Sequence, residues 1–87
     1  MADELTADEI AAHFSAMDDS VTLINATAAD DTDALEMYGD AAEVKLMVTR
    51  NTDHLEIQKA TDWYKSSSKT KTKYTNAVTA GKAYVAG

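Results

Sequence analysis

The chain has 87 residues and a formal net charge of −7, with no Cys, no Pro and three Gly. This length predicts a single domain, residues 1–87, and the composition favours helix throughout. The absence of Cys excludes disulfides and thiolate sites, the net charge argues against general nucleic-acid affinity, and no apolar run approaches the roughly 20 residues of a membrane span.

Acidic and basic residues are separated along the chain. Residues 1–43 contain twelve Asp or Glu and no Lys or Arg, whereas residues 44–87 contain three acids and eight bases. Because opposite charges attract, this separation predicts that the two halves pack on each other, or on the opposite half of a neighbouring copy.

The first predicted helix runs from about Ala7 to Ala28. Thr6 and Glu9 have the spacing of a capping box, in which each side chain satisfies a free backbone amide at the helix start. Apolar residues then recur at spacings of four and three, which places them on one face of a helix. They are Ile10, Phe14, Met17, Val21, Ile24 and Ala28, and only Leu23 lies off this face.

The next segment allows two interpretations that differ at Gly39. In one, Thr32 caps a short helix that Gly39 closes, and Asp40 begins the next helix with a second capping box. In the other, a single helix continues through Gly39 at a cost of about 1 kcal/mol. The apolar positions on either side of the glycine stay in phase, which favours an unbroken or kinked helix that ends near Lys59 or Ala60.

This second helix carries apolar residues on two opposite faces. One face holds Met37, Ala41, Val44, Val48 and Leu55 with Met47 at its edge, and the other holds Leu35, Leu46 and Ile57. A helix that is apolar on two sides is expected to be covered on both. We therefore predict a central helix, with the first helix on one face and the C-terminal third of the chain, or another subunit, on the other.

The C-terminal third supplies the predicted cover. Trp63 is the largest side chain near the second face, so we expect it to be largely buried close to Ile57 or Leu46. Its replacement by Ala is then expected to cost about 3 kcal/mol or more. A short third helix is predicted around Tyr74, with Gly81 near its end. The expected fold class is all-α: a small helical bundle made of a long helical hairpin and a shorter C-terminal helical segment.

A lysine tract, Lys69, Lys71 and Lys73, follows Trp63 and Tyr64. Lys alternates there with Ser and Thr, and no apolar residue lies on either face, so a solvated loop is favoured over a strand. We hypothesise that these five residues bind protein. The tract would meet acidic residues of the same chain or of a neighbouring copy, namely Asp18, Asp19, Asp30, Asp31 and Asp33. Binding of single-stranded nucleic acid is the weaker alternative, because the chain is acidic overall.

No arrangement of residues predicts a catalytic, cofactor or metal site. The acids that begin at Asp31 do not fit a calcium loop, because Leu35 occupies a ligand position and Glu36 stands where Gly is required. His54 and Glu56 are two residues apart and point away from each other on a helix. The sequence contains no zinc-binding or nucleophile motif. We expect no catalytic residues, no cofactor, no metal and no small-molecule substrate.

The segments RNTDHLEIQKATDWYK and NAVTAGKAYVAG resemble a pattern in short proteins of tailed marine bacteriophages, including cyanophages. There an Arg-Asn pair precedes His-Leu, a Trp follows, and the chain ends in an Ala-Gly and Tyr stretch. The matching positions are Arg50, Asn51, His54, Leu55, Trp63, Ala80, Gly81 and Tyr84. The resemblance covers about the C-terminal half and implies a phage origin without a catalytic role. It implies structural roles for Leu55 (buried), Trp63 (anchoring the C-terminal segment) and Gly81 (at a helix end).

These observations lead us to expect a non-enzymatic structural or interaction protein that binds other protein subunits, with a homo-oligomer among the options. The resemblance makes a phage virion-associated protein of the head, neck or tail the leading expectation, located in the virion. The alternative is a small acidic phage regulator that binds and inhibits a host protein in the host cytoplasm. We expect no membrane association.

Overall fold

The computed structural model describes residues 5–67 and 71–87. These residues form helices and no strands. The helices are α1 (Ala7–Ala29), α2 (Thr32–Tyr38), α3 (Ala41–Lys59), α4 (Asp62–Ser66) and α5 (Thr72–Ala86). The predicted all-α class is therefore confirmed. Lys69 belongs to the segment 68–70 and lies outside the described residues.

The three long helices α1, α3 and α5 each pack against the other two, in a body measuring 45 × 20 × 15 Å. α1 and α5 run parallel, since Asp18 lies beside Tyr74 and Asp31 lies beside Tyr84. Two short helices complete the bundle: α2 connects α1 to α3, and α4 connects α3 to α5. The fold is thus a small elongated helical bundle.

The start of α1 is the predicted capping box. The Thr6 hydroxyl accepts a hydrogen bond from the Glu9 amide at 3.1 Å, and the Glu9 carboxylate accepts one from the Thr6 amide at 2.9 Å. The hydrogen bond from the Thr6 backbone holds the pKa of Glu9 below its ordinary value. The apolar face of α1 is also found, with Phe14, Met17 and Ile24 in the core.

The segment around Gly39 is broken, so the prediction of an unbroken or kinked helix is wrong. Gly39 adopts the left-handed conformation, with φ of 74°, and ends α2. The Asp40 side chain then accepts a hydrogen bond from the Ala42 amide at 2.8 Å and starts α3. These two caps satisfy backbone groups that an unbroken helix satisfies internally, and Gly pays no steric penalty in that conformation. Thr32 is not the N-cap of α2 as proposed, because Asp31 holds that position.

The second apolar face of α3 is not covered, which corrects the prediction of a central helix. Leu46 is 40% exposed and Ile57 is 65% exposed. In contrast, Val44, Val48 and Leu55 on the first face are fully buried. In a bundle of three mutually packed helices, α1 and α5 both approach α3 from the same broad side, so the opposite side remains in solvent.

Gly81 lies inside α5 rather than near its end, because the helix continues to Ala86. A Cβ atom at Gly81 would overlap the Thr52 hydroxyl of α3 and come within 3.4 Å of the Ile24 side chain of α1. The absence of a side chain therefore lets α5 approach α3 closely at the point where the three long helices meet. α3 and α5 run antiparallel, since Lys59 bonds Thr75 at the other end of this contact.

The core consists of two clusters. The larger contains Phe14, Met17, Val21, Ile24, Leu55, Tyr64, Tyr74, Ala77 and Val78. The smaller contains Val44, Met47 and Val48, against which Leu35 and Tyr84 pack. Among the described residues, no helix is long and apolar enough to cross a membrane.

Trp63 was predicted to pack on the outer face of α3, near Ile57 or Leu46. In the structure it packs on α1 instead. Its ring stacks on that of His13 at 5.2 Å between centroids, and Phe14 meets it edge-on at 5.1 Å. The short α4 starts directly after the turn that ends α3, which carries Trp63 across to α1. Trp63 is half-buried rather than fully buried.

Replacing Trp63 with alanine should therefore lower the free energy of unfolding by about 2 kcal/mol, which is less than a fully buried Trp loses. Urea unfolding followed by circular dichroism measures this loss. The Trp63→Phe variant is the control, since Phe keeps part of the stacking on His13 and should lose less. A loss of the size first expected from full burial would contradict the half-buried position.

Candidate protein-binding surfaces

The lysine tract is only partly the predicted loop. Lys71 directly precedes α5, and Lys73 lies in the first turn of that helix, where a loop was predicted. The Lys73 amine forms an ion pair with Asp18 at 2.9 Å. The contact between the tract and the acidic half is thus present within the chain for this residue. Exposed pairs of this kind contribute little to stability.

Tyr64 and Lys71 form a second contact of the tract with the fold. The Lys71 amine lies 4.7 Å from the centroid of the Tyr64 ring and donates a hydrogen bond to the Lys65 carbonyl at 3.2 Å. Tyr64 itself is only 4% exposed, so Lys71 packs on a ring that belongs to the core. Of the five residues proposed to bind protein, Tyr64 thus belongs to the core, Trp63 is half-buried, and Lys71 and Lys73 remain at the surface. The fifth, Lys69, lies outside the described residues. Their role in binding stays a prediction.

Tyr74 links the first turn of α5 to α1. The ring is fully buried, and its hydroxyl donates a hydrogen bond of 2.7 Å to the Asp18 carboxylate. Burial, together with the hydrogen bond and negative charge of Asp18, raises the pKa of Tyr74 well above its ordinary value of 10.0. The neutral phenol is therefore the form that the fold stabilises.

The protein should lose stability in alkali because of Tyr74. A raised folded-state pKa contributes stability that is fully present below the unfolded value of 10.0 and is lost as pH rises above it. We expect the free energy of unfolding to fall by about 1.4 kcal/mol per pH unit above that value from this group. Urea titrations between about pH 9 and about pH 11 measure the slope. The Tyr74→Phe variant should have a shallower slope, and equal slopes would contradict the assignment.

A polar cluster joins α1 to α3 in the middle of the bundle. The Ser20 hydroxyl donates a hydrogen bond to Asn51 Oδ1 at 2.9 Å and lies 2.9 Å from His54 Nδ1. Asn51 Nδ2 also donates to the Met47 carbonyl at 2.9 Å, which fixes the orientation of the amide. The Ser20 hydroxyl is thus already committed to Asn51, so His54 Nδ1 is placed to donate to it. The sequence analysis missed this cluster, although a serine on the apolar face of α1 is a signal of a buried polar contact.

The Ser20 and His54 pair is not arranged as a nucleophile and its base. Ser20 is buried, so its oxygen is closed to a substrate. No carboxylate bonded to His54 orients the ring within the described residues, as a catalytic triad requires. A partly buried cluster of this kind, with its polar groups hydrogen-bonded, fixes the register of two helices. Asn51 and His54 thus have a structural role in the packing of α1 on α3.

A groove opens at the end of the bundle where α1 ends, between the last turns of α1 and the short α2. We name it the acidic groove. Its volume is about 330 Å³, and it is lined mainly by Leu23, Asp30, Asp33, Met37, Tyr38 and Met47. Three of these side chains are large, apolar and exposed: Leu23 at 45%, Met37 at 78% and Tyr38 at 42%. Sequence reasoning placed Met37 on a buried face, whereas the break at Gly39 turns α2 so that Met37 faces solvent.

The rim of the acidic groove and the turns beside it carry uncompensated negative charge. The carboxylates of this end are Asp30, Asp31, Asp33, Glu36, Asp40 and Glu43. Within the described residues, none of them forms an ion pair with a Lys or Arg. Asp30 accepts hydrogen bonds from Thr32, which hold the pKa of Asp30 below its ordinary value, and Asp31 accepts one from Tyr84. These neutral donors leave the negative charge in place.

Over the described ranges 5–67 and 71–87, no three His, Cys, Asp or Glu side chains are grouped so that they could hold a metal ion. Comparison of the chain with protein-family models, with curated proteins and with solved structures found no match.

Proposed function

We propose that the protein is a non-enzymatic interaction protein that acts by binding other protein subunits. The acidic groove is the observation that supports this proposal. The bundle buries most of its large apolar side chains in two clusters and leaves Leu46 and Ile57 exposed on the outer face of α3. Leu23, Met37 and Tyr38 are exposed together in one concave surface. Exposed apolar side chains that adjoin one another, with a polar rim, are typical of a surface that contacts another protein.

The resemblance to proteins of tailed phages leads us to propose, more specifically, a virion-associated accessory protein of the head, neck or tail. The alternative is a small acidic phage regulator that binds and inhibits a host protein. The concentration of carboxylates at one end of the bundle favours this alternative, because such a surface attracts the basic surfaces of other proteins.

Mass spectrometry of purified phage particles distinguishes the two. A virion-associated protein should be present in the particles at a constant copy number, whereas a host-directed regulator should be found only in infected cells. If the protein were found neither in the particles nor in infected cells, both proposals of a phage protein would be refuted.

Site-specific photo-crosslinking tests the interaction itself. A crosslinking residue is placed in turn at three exposed positions, Met37 in the acidic groove and Leu46 and Ile57 on the outer face of α3. We expect crosslinks to a defined protein from at least one position. A protein that crosslinks to nothing from any of them, in particles or in cells, does not have the proposed function.

A further inference from the structure

Resting on the proposed function, we propose that the acidic groove binds an amphipathic helix of another protein, with apolar anchors on one side and Lys or Arg along its flanks. The geometry of the groove, its floor and its charge each point to this occupant. It is one known way in which proteins recognise peptides, in which the apolar face of a helix lies in a hydrophobic groove.

The floor of the groove suits apolar anchors from a helix. Met37 and Met47 line it on two different helices, α2 and α3, and Leu23 lines it on α1. Met side chains are unbranched and adapt to the shape of an inserted group, so methionine-lined surfaces are common at binding grooves. Because the groove is open between two helices, an inserted helix could lie along it and bury several side chains at once.

The rim specifies the charge of the occupant. Asp33 on α2 and Asp30 at the end of α1 line the groove, and Glu36 on α2 lies in the adjoining hollow with Asp33 and Met37. Lys45 is the one basic residue between positions 30 and 48. A helix with basic flanks would neutralise these carboxylates as it enters the groove, whereas an acidic peptide or an anionic lipid surface would be repelled.

A second copy of the chain is a poorer occupant. If two grooves met face to face, two acidic rims would come together, and like charges at an interface are unfavourable. The lysines near the start of α5 lie away from the groove, and Lys73 is already paired with Asp18 in the middle of α1. Self-association through the groove is therefore not expected, and the experiment below distinguishes it from binding of a basic helix.

Three synthetic helical peptides serve as probes in a fluorescence anisotropy titration. The first contains Leu on one face and Lys on the other, the second is a scrambled peptide of the same composition, and the third replaces every Lys with Glu. We expect the amphipathic Leu/Lys peptide to bind at least about tenfold more tightly than the scrambled one, which carries the same charge. The Leu/Glu peptide should not bind, and added salt should weaken binding of the first.

Substitutions at the groove are matched with substitutions elsewhere. Leu23→Gln combined with Met37→Gln should weaken binding of the Leu/Lys peptide about tenfold, with an unchanged melting temperature because both side chains are exposed. The control combines Leu46→Gln with Ile57→Gln, which removes two exposed apolar groups outside the groove and should leave binding unchanged.

The charged rim is tested in the same way. Asp33→Asn combined with Glu36→Gln should weaken binding and reduce its dependence on salt. The charge-matched control is Asp8→Asn combined with Asp53→Asn, two exposed acids that do not line the groove. It should bind like the wild type, apart from the small effect of net charge.

Equal binding of the scrambled peptide, or equal effects of the groove and control variants, would overturn the proposal. Sedimentation velocity gives a further check: self-association of the wild type that the groove variants abolish would make a second copy the occupant. Crosslinks from Leu46 or Ile57 without crosslinks from Met37 would also reject the groove as the binding site. In each of these cases the proposed function stands, since it fails only when none of the three crosslinking positions, Met37, Leu46 and Ile57, captures another protein.

Discussion

Replacing Tyr74 with alanine should lower the free energy of unfolding by about 3–5 kcal/mol, the largest effect we expect of any single substitution. Tyr74 has no exposed surface, and its ring lies 5.9 Å from that of Phe14 and 6.0 Å from that of Tyr64. The substitution therefore empties the centre of the aromatic part of the core and also removes the hydrogen bond to Asp18. Domains of this size are stable by only about 5–15 kcal/mol, so the substitution should remove a large share of the total stability.

Urea unfolding at neutral pH, followed by circular dichroism, measures this effect. Tyr74→Phe separates the contributions, because it keeps the ring and loses only the hydroxyl; we expect it to cost about 1–2 kcal/mol. Tyr38→Ala is the matched control at an exposed position and should change stability by less than about 0.5 kcal/mol. Similar losses for Tyr74→Ala and Tyr38→Ala would show that Tyr74 is not a core residue.

Gly81→Ala is the second substitution with a large expected effect. An alanine normally improves a helix interior by about 1 kcal/mol relative to glycine. Here its Cβ would overlap the Thr52 hydroxyl, which is buried and donates to the Val48 carbonyl at 2.8 Å. Because the overlap forces α5 away from α3, we expect the free energy of unfolding to fall by about 1–3 kcal/mol instead of rising.

A double-mutant cycle with Thr52→Ala tests this cause. Removing the hydroxyl relieves the overlap, so the double variant should recover part of the loss, and the two substitutions should be non-additive. Asn76→Ala, at an exposed position of the same helix, controls for helix propensity and should be neutral or slightly stabilising. A Gly81→Ala variant as stable as the wild type would mean that the two helices do not approach closely at this point.

The local elements of the fold were predictable because their signals lie within a few residues of one another. The capping box of Thr6 and Glu9 needs only a spacing of three, and it was found as predicted. The apolar face of α1 follows from the helical repeat, and Phe14, Met17 and Ile24 are buried as expected. The all-α class follows from the same kind of information, summed over the chain.

Predictions failed where two alternative local structures competed and the packing of the whole chain decided between them. The apolar positions on either side of Gly39 are in phase, but phase reports only direction around a helix axis and cannot detect a change of axis. Two caps at Gly39 and Asp40 outweighed the continuous helix, and Met37 became exposed as a result. The acidic groove is a consequence of that break, so sequence reasoning that kept the helix intact could not find it.

By itself, the sequence determined the helical class, the start of α1, the buried face of α1 and the separation of charge along the chain. Only the tertiary structure decided which side chains meet across helices. Ser20 and His54 are 34 positions apart, and Asp18 and Tyr74 are 56 positions apart. Such contacts depend on how three helices are arranged in space, and a helical repeat carries information about one helix only. For the same reason the sequence showed that acids are concentrated in its first half, whereas the structure showed that two of them, Asp30 and Asp33, line an exposed apolar groove.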